Sequence, residues 1–505
     1  MPRPSVSVLT SAAAAAATPG QRLGTLFAAA QTQRGPLVAD VTAPLRSLGD
    51  YTALYGARDA TIGSAALSYD IAETFFRSGG TALLINRVVG PAATTASLTL
   101  MDRAGSPLQT VKVVARGPGA WPTSHITIQV TNGAAANTFQ VIVLVDAVIA
   151  EQSPDLASPS EAVTWGLQSK WVTVQDLASA TAAPNNNPAV LAATALGSAI
   201  DDIASVTDTQ WTAALNAFPA SYGPGLVMKM GVSTSAGHAG TMAHAAANNR
   251  MALLDGVTGS SQATLTTLAS TVATAATAPE YGMLFAPWLQ IPPAAAGAAN
   301  RSVPGSAVAA GLISAQVTNG PAAVAAAGPN GQAGYVLDTS PTTSGGAGQT
   351  FTDAERDLLA GSAAVNVFRR AYSASAVPPV ELYGYSTLGT LSSPWRQAGP
   401  QFLRLRITDE LLLLGEQYIF RIIDGRQHVM AELGGAAAGI LQGHWEAGEL
   451  FGNTASEAYA VDYTSPNTPT TIAAGQLNCT VEIRESTTAE TLKFSVTKIP
   501  VNQPL

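Results

Sequence analysis

From Leu26 to Val88 the apolar positions switch between two rhythms. Leu26, Phe27 and Ala28 to Ala30 form a solid run closed by Arg34-Gly35-Pro36, the pattern of a buried strand leaving its sheet through a turn. Leu45, Leu48, Tyr51 and Leu54 then recur at three-residue steps up to Gly56, which predicts a short amphipathic helix with a glycine stop. Ala66, Leu67, Tyr69, Ile71, Ala72, Phe75 and Phe76 predict a second helix before Gly79-Gly80, and Leu83-Leu84-Ile85 the next strand. Helix beside strand implies an α/β layer.

From about 91 to 175 the texture changes to short threonine- and valine-rich strands: Ser97 to Leu100, Val111 to Val114, Ile126 to Val130 and Phe139 to Val145. Turns fall at Gly105-Ser106, Gly117-Pro118-Gly119 and Asn132-Gly133, so this stretch reads as an inserted all-β domain. The α/β rhythm returns over 176 to 345. Gly225 to Met228 is a predicted strand, Ala239 to Asn249 a helix ending near Arg250, Met251 to Asp255 a strand, and Tyr281 to Trp288 another. Strand, helix, strand in succession implies right-handed crossovers and a layered sheet. In the last part, 346 to 505, Thr352-Asp353-Ala354-Glu355 opens a helix with a capping-box pattern. The fold class is therefore α/β (mixed α+β) and multidomain.

The two ends carry strand patterns. Ser5-Val6-Ser7-Val8-Leu9 can form a short strand in an arm of residues 1 to 22, followed by an alanine run too short to hold a helix in water. Val481 and Ile483 alternate with Glu482 and Arg484, and Leu492, Phe494 and Val496 alternate with Lys493, Ser495 and Thr497. A period of two makes a half-buried strand.

Composition narrows the class. A chain of 505 residues is too long for one core. Only 11% of residues are charged, a surface poorly solvated by charge, as expected where neighbouring copies cover it; a biased genome composition produces the same alanine richness. The net charge of -8, with no cluster of Lys and Arg, argues against nucleic acid as a partner. No apolar run reaches the length needed to cross a bilayer, so no membrane partner is expected. Arg3, Val6 to Leu9 and Ala12 to Ala17 imitate a secretory signal, but the leading region has a single charged side chain and the apolar stretch is weak. An exported β-rich adhesin or hydrolase is the alternative, and it would require cleavage there.

Chemistry is thin. The single cysteine, Cys479, leaves no disulfide framework or cysteine zinc motif and reads as a small residue buried in a strand. His238 and His244, six residues apart, fall on different faces of one helix with no carboxylate to complete a metal site. No phosphate loop, dinucleotide fingerprint, nucleophile elbow or zinc-protease motif occurs. No catalytic residue, cofactor or metal is expected.

The ordered set Arg34-Gly35-Pro36, Leu54-Tyr55-Gly56, Phe75-Phe76, Gly79-Gly80 and Ile85-Asn86-Arg87-Val88 resembles the N-terminal segment of contractile tail sheath proteins. Gly117 to Trp121 is similar to the glycine-tryptophan turn of that family's inserted domain, and the Tyr281 to Trp288 strand to one of its core strands. Val303-Pro304-Gly305-Ser306 with Gly320-Pro321 and Pro329-Asn330 follows the family order, the last only partly. Tyr383 to Leu388 stands where the family carries a Trp-Gly-Ala-Arg-Thr-Leu sequence, without the arginine.

The resemblance implies a structural subunit, not an enzyme, that polymerises as stacked hexameric rings in a helix around an inner tube and contracts to drive that tube through a target envelope. It implies terminal arms forming intersubunit β-sheets through Val6, Val8, Leu9, Leu492, Phe494 and Val496. It divides the chain into arm (1–22), α/β domain (23–90 and 176–345), inserted β domain (91–175) and C-terminal domain (346–505). The segment from Phe402-Leu403-Arg404-Leu405-Arg406-Ile407 to Ile419-Phe420 resembles the strand and helix facing the tube, which makes Arg404, Arg406, Arg421 and Arg426 the candidate tube contacts. Baseplate and tail terminator proteins are the other implied partners. The implied location is a virion tail assembled in the host cytoplasm, or the bacterial cytoplasm for an injection system.

Overall fold

The computed structural model describes residues 21–319, 336–337, 351–370 and 380–486. At its centre lie β1 (Thr25–Ala30), β2 (Ala82–Arg87), β3 (Gly225–Lys229), β4 (Arg250–Asp255), β5 (Gly282–Ala286), β6 (Val365–Arg370) and β7 (Val380–Tyr383). They form one seven-stranded sheet in the order β7-β6-β5-β4-β3-β1-β2. Every neighbouring pair is parallel except β6 with β7.

Parallel strands covered on both faces need apolar residues at successive positions, which is why β1 and β4 read as solid runs. Leu26, Ala28, Leu83 and Ile85 face one side, with Tyr51 of α1 (Leu48–Tyr55), Phe75 of α2 (Gly63–Arg77) and Val308. Phe27, Ala29, Leu84 and Val227 face the other, with Leu215 of α3 (Asp208–Asn216), Met242 of α4 (Ser235–Ala247) and Leu265 of α5 (Gln262–Ala275). Val308 belongs to α6 (Gly305–Asn319). Phe27 and Phe75 are only 1% and 0% exposed, each worth about 1.5–3 kcal/mol of transfer free energy.

The connection from β2 to β3 carries the all-β insert. Ser97–Met101, Gln109–Ala115 and Val172–Asp176 form a three-stranded sheet. Val148–Gln152, Phe139–Val145, Ile126–Asn132 and Leu191–Ala195 form a four-stranded one. Alternate residues such as Val111, Val113, Ile128 and Val130 meet in one core between them. The insert continues past residue 175, because Leu191–Ala195 pairs with Ile126–Asn132. Likewise the central sheet continues past 345 through β6 and β7.

Thr352 caps α7 (Asp353–Ala360) with both bonds of a capping box to Glu355 present, as its sequence predicts. After β7 the chain forms α8 (Ala398–Glu416) and α9 (His428–Glu446). The strand expected at 402–407 is instead the interior of α8. Its period-two look has a physical cause: Phe402 and Leu405 enter the core of the central sheet, whereas Leu403 and Ile407 enter a second, smaller core. Cys479 is half-buried and lies one residue before the strand Thr480–Ile483, not within it.

Candidate assembly site

The second core belongs to a small module at the C-terminal end of the described chain. Leu403, Ile407 and Leu411 of α8 meet Leu441 and Trp445 of α9, Leu450, and the side chains Tyr459, Val461, Val481 and Ile483. The last four come from a sheet of only two strands, Tyr459–Asp462 antiparallel to Thr480–Ile483. Alternation puts these apolar residues on the helices, while Ala460, Thr480 and Glu482 are exposed. A two-stranded sheet is marginal in water by itself, and its outer N–H and C=O groups are open to further strands. Among the described residues, only an isolated bridge between Leu450 and Glu485 extends it.

The strand-exchange candidates Val6, Val8, Leu9, Leu492, Phe494 and Val496 lie outside the described residues. Of the arginines, two are held inside the molecule. The Arg404 guanidinium lies 4.4 Å from the Trp395 ring centroid and 4.8 Å from that of Tyr281. Arg406 pairs with Glu410 at 3.2 Å and Glu449 at 3.4 Å. Arg421 pairs with exposed Glu432 at 2.6 Å, and Arg426 is exposed. These last two lie in the loop between α8 and α9, where Arg421 stands between two exposed apolar residues: Phe420 is 102% exposed and Ile422 84%. Sequence reasoning weighed the arginines and passed over Ile422, although a run of Ile and Phe beside Arg after a helix end is a legible signal.

The N-terminal motif residues gather at the seam between central sheet and insert. Arg34 lies with its guanidinium 4.4 Å from the Trp121 ring centroid and 4.8 Å from that of Trp171, so the turn tryptophan is a clamp as well as a core anchor. Burial lowers the Arg34 pKa, and Asp146 opposes that shift. Arg87 pairs with Asp201 of the insert at 2.7 Å.

Among the described residues no group of three His, Cys, Asp or Glu side chains could hold a metal ion. His238 bonds the Asp255 carbonyl and His244 faces Arg250 at 2.9 Å; burial first, and nearby cations second, lower both histidines to about 4. No described helix is long and apolar enough to cross a membrane. At the position where the resemblance expects arginine, the Ser386 amide donates to Asn366 Oδ1 at 2.7 Å, and Asn366 bonds back to the Ser386 carbonyl.

The doubly covered sheet, its β insert and the C-terminal module together form a fold that this chain shares with contractile tail sheath proteins of known structure. A sheath tail protein from Listeria innocua has a TM-score of 0.58 at 12% identity, covering 88% of this chain and 89% of that one. The anti-feeding prophage baseplate in its contracted state contains a chain with a TM-score of 0.54 at 16% identity, with 98% of each chain covered. A sheath tail protein from Desulfitobacterium hafniense has a TM-score of 0.51 at 13% identity, covering 91% and 93%. No family model matches the sequence, and no curated protein matches it.

Proposed function

We propose that this chain is the structural subunit of a contractile sheath, polymerising helically around an inner tube and contracting to drive the tube through a target cell envelope. The single observation that carries the reading is the sheet that has only two strands among the described residues, set on the C-terminal module of a sheath fold. Arms from neighbouring copies, Val6, Val8 and Leu9 at one end and Leu492, Phe494 and Val496 at the other, would complete it. A five-residue strand adds roughly four or five ladder bonds of about 0.5–1.5 kcal/mol each and two or three buried apolar side chains of about 1.5–3 kcal/mol each. Such joints outlast side-chain contacts, so the lattice changes twist and rise without coming apart.

In this reading residues 1–22 are an arm, the insert runs from 91 through Asp201, and β6 and β7 belong to the core. Rings are hexameric, head-to-tail contacts generate a helix, and baseplate and terminator proteins bound its two ends. The α8–α9 loop, with Phe420, Ile422, Arg421 and Arg426, meets the tube. The work is stored at assembly, so no catalytic role or cofactor is assigned. Assembly takes place in the cytoplasm of the producing cell, and the product is a phage tail or an injection system.

Negative-stain microscopy of the purified chain tests this. Striated tubes are expected, and deleting 1–20 or 490–505 should leave folded protein that does not polymerise. Tubes of normal appearance from both truncations would remove the arm model, and single particles at every concentration would remove the sheath reading.

A further inference from the structure

We infer that a buried charge cluster centred on His444 is a latch that holds the acceptor sheet on α8 and α9 and releases it in alkaline solution. It rests on the acceptor role given above to the sheet Tyr459–Asp462 and Thr480–Ile483.

Both ring nitrogens of His444, on α9, face carboxylates. Nε2 lies 2.9 Å from Glu410 Oε2 and Nδ1 lies 2.5 Å from Glu449 Oε2. A carboxylate accepts, so both nitrogens donate and the ring is an imidazolium. Arg406 reaches the second oxygen of each carboxylate. Two cations and two anions thus close a ring that joins α8, α9 and the segment after α9. The His444 and Glu449 side chains are only 4% and 3% exposed, so losing one charge leaves its neighbours buried and uncompensated.

Glu449 is the mechanical link. Its carbonyl accepts from Ser486 N at 2.9 Å, and Phe451 N donates to the Arg484 carbonyl at 2.8 Å. The grip on Glu449 therefore fixes the far end of Thr480–Ile483, at the root of residues 487–505. Glu485 lies in the same stretch with a buried Oε1 that has no hydrogen-bond partner among the described residues.

The other charged groups around the cluster are Arg404 and Asp409 on α8, Glu446 on α9, Glu482 on the strand and Arg484 just after it. Glu446 bonds Gln442, while Glu482 and Arg484 are exposed. Burial alone lowers the His444 pKa, but the hydrogen bonds and charges of Glu410 and Glu449 outweigh it and raise the ring from 6.5 to about 9. Burial raises Glu485 from 4.5 to about 8, and Arg404 only partly opposes it. The His444 contribution is complete below its unfolded value and is lost as pH rises through the folded one. Glu485 acts in the same direction: its cost grows from 4.5 to about 8, where the unfolded carboxyl is ionised and the folded one is not. Above both values His444 has lost its positive charge and Glu485 has become negative, so the cluster no longer compensates its buried carboxylates.

Hydrogen exchange of 480–486 in the full-length chain, corrected for the intrinsic rate at each pH, tests the latch. Protection should fall at least about tenfold between about pH 7 and 10. His444→Gln, which carries no charge at any pH, should be poorly protected throughout and lack the His444 step. Glu410→Gln should move the step to lower pH, and it serves as the second variant should His444→Gln fail to fold. Flat protection across that range in the parent chain, or an unmoved step in Glu410→Gln, overturns the latch whatever the tubes do. Lost protection with unchanged tube formation keeps the release but overturns the acceptor reading.

Discussion

Arg87 donates from Nη2 to Asp201 Oδ1 at 2.7 Å, joining the end of β2 to the returning edge of the insert, with side-chain exposures of 1% and 12%. The same guanidinium also reaches the carbonyls of Thr32 and Pro118. Asp201→Ala strands a buried cation, so a loss of about 3–5 kcal/mol is expected, read as a lower denaturation midpoint. An unchanged midpoint would mean that solvent reaches Arg87 at the seam.

Gly35 is held at φ 108°, and a Cβ there would lie 2.6 Å from Tyr55 Cδ1 and 3.0 Å from the Leu54 carbonyl. Backbone strain and the close ring act together. Gly35→Ala should lower stability by roughly 1–3 kcal/mol, measured by thermal melting. This is why a glycine stands between Arg34 and Pro36.

Phe420 sits in the left-handed region at φ 65° and is fully exposed. A fully exposed ring buries no surface among the described residues, so Phe420→Ser should change unfolding free energy by no more than about 0.5 kcal/mol. Co-sedimentation with the purified inner tube protein should fall several-fold. Undiminished binding would place the tube contact elsewhere.

Asp255, at the end of β4, is fully enclosed, with Oδ1 bonded to Ser306. Burial raises its pKa from 3.8 to about 7, against the opposing hydrogen bonds from Ser306 and Gly231. Between those values the unfolded carboxyl is ionised and the folded one is neutral, so its contribution falls as pH rises from 3.8 to about 7 and then levels. Asp255→Asn has no proton to lose. Its denaturation midpoint should vary less across this window than the parent's, and parallel curves would show that Asp255 does not carry the titration.

Much of this was written locally. β1, β2 and α2 follow from runs and three-to-four spacing, the α7 start from Thr352 and Glu355, and the β insert from alternation between glycine turns. The candidate site was less legible. His444 and Glu410 are 34 residues apart, and no spacing rule pairs them. Arg404 and Arg406 look like an exposed charged stripe, yet Trp395, Tyr281, Glu410 and Glu449 occupy them from elsewhere in the fold.

The sequence alone determined which segments can bury both faces, where helices begin and where the chain must turn, because those depend on neighbours within a few residues. Tertiary structure decided that Phe402-Leu403-Arg404-Leu405 is helix, since one helix seated between two cores needs apolar residues on opposite sides and so imitates a strand. It also decided that β6 and β7 close the central sheet and that the last described sheet stops at two strands. Hydrogen-bond ladders join residues by position in space, and separation along the chain does not encode that position.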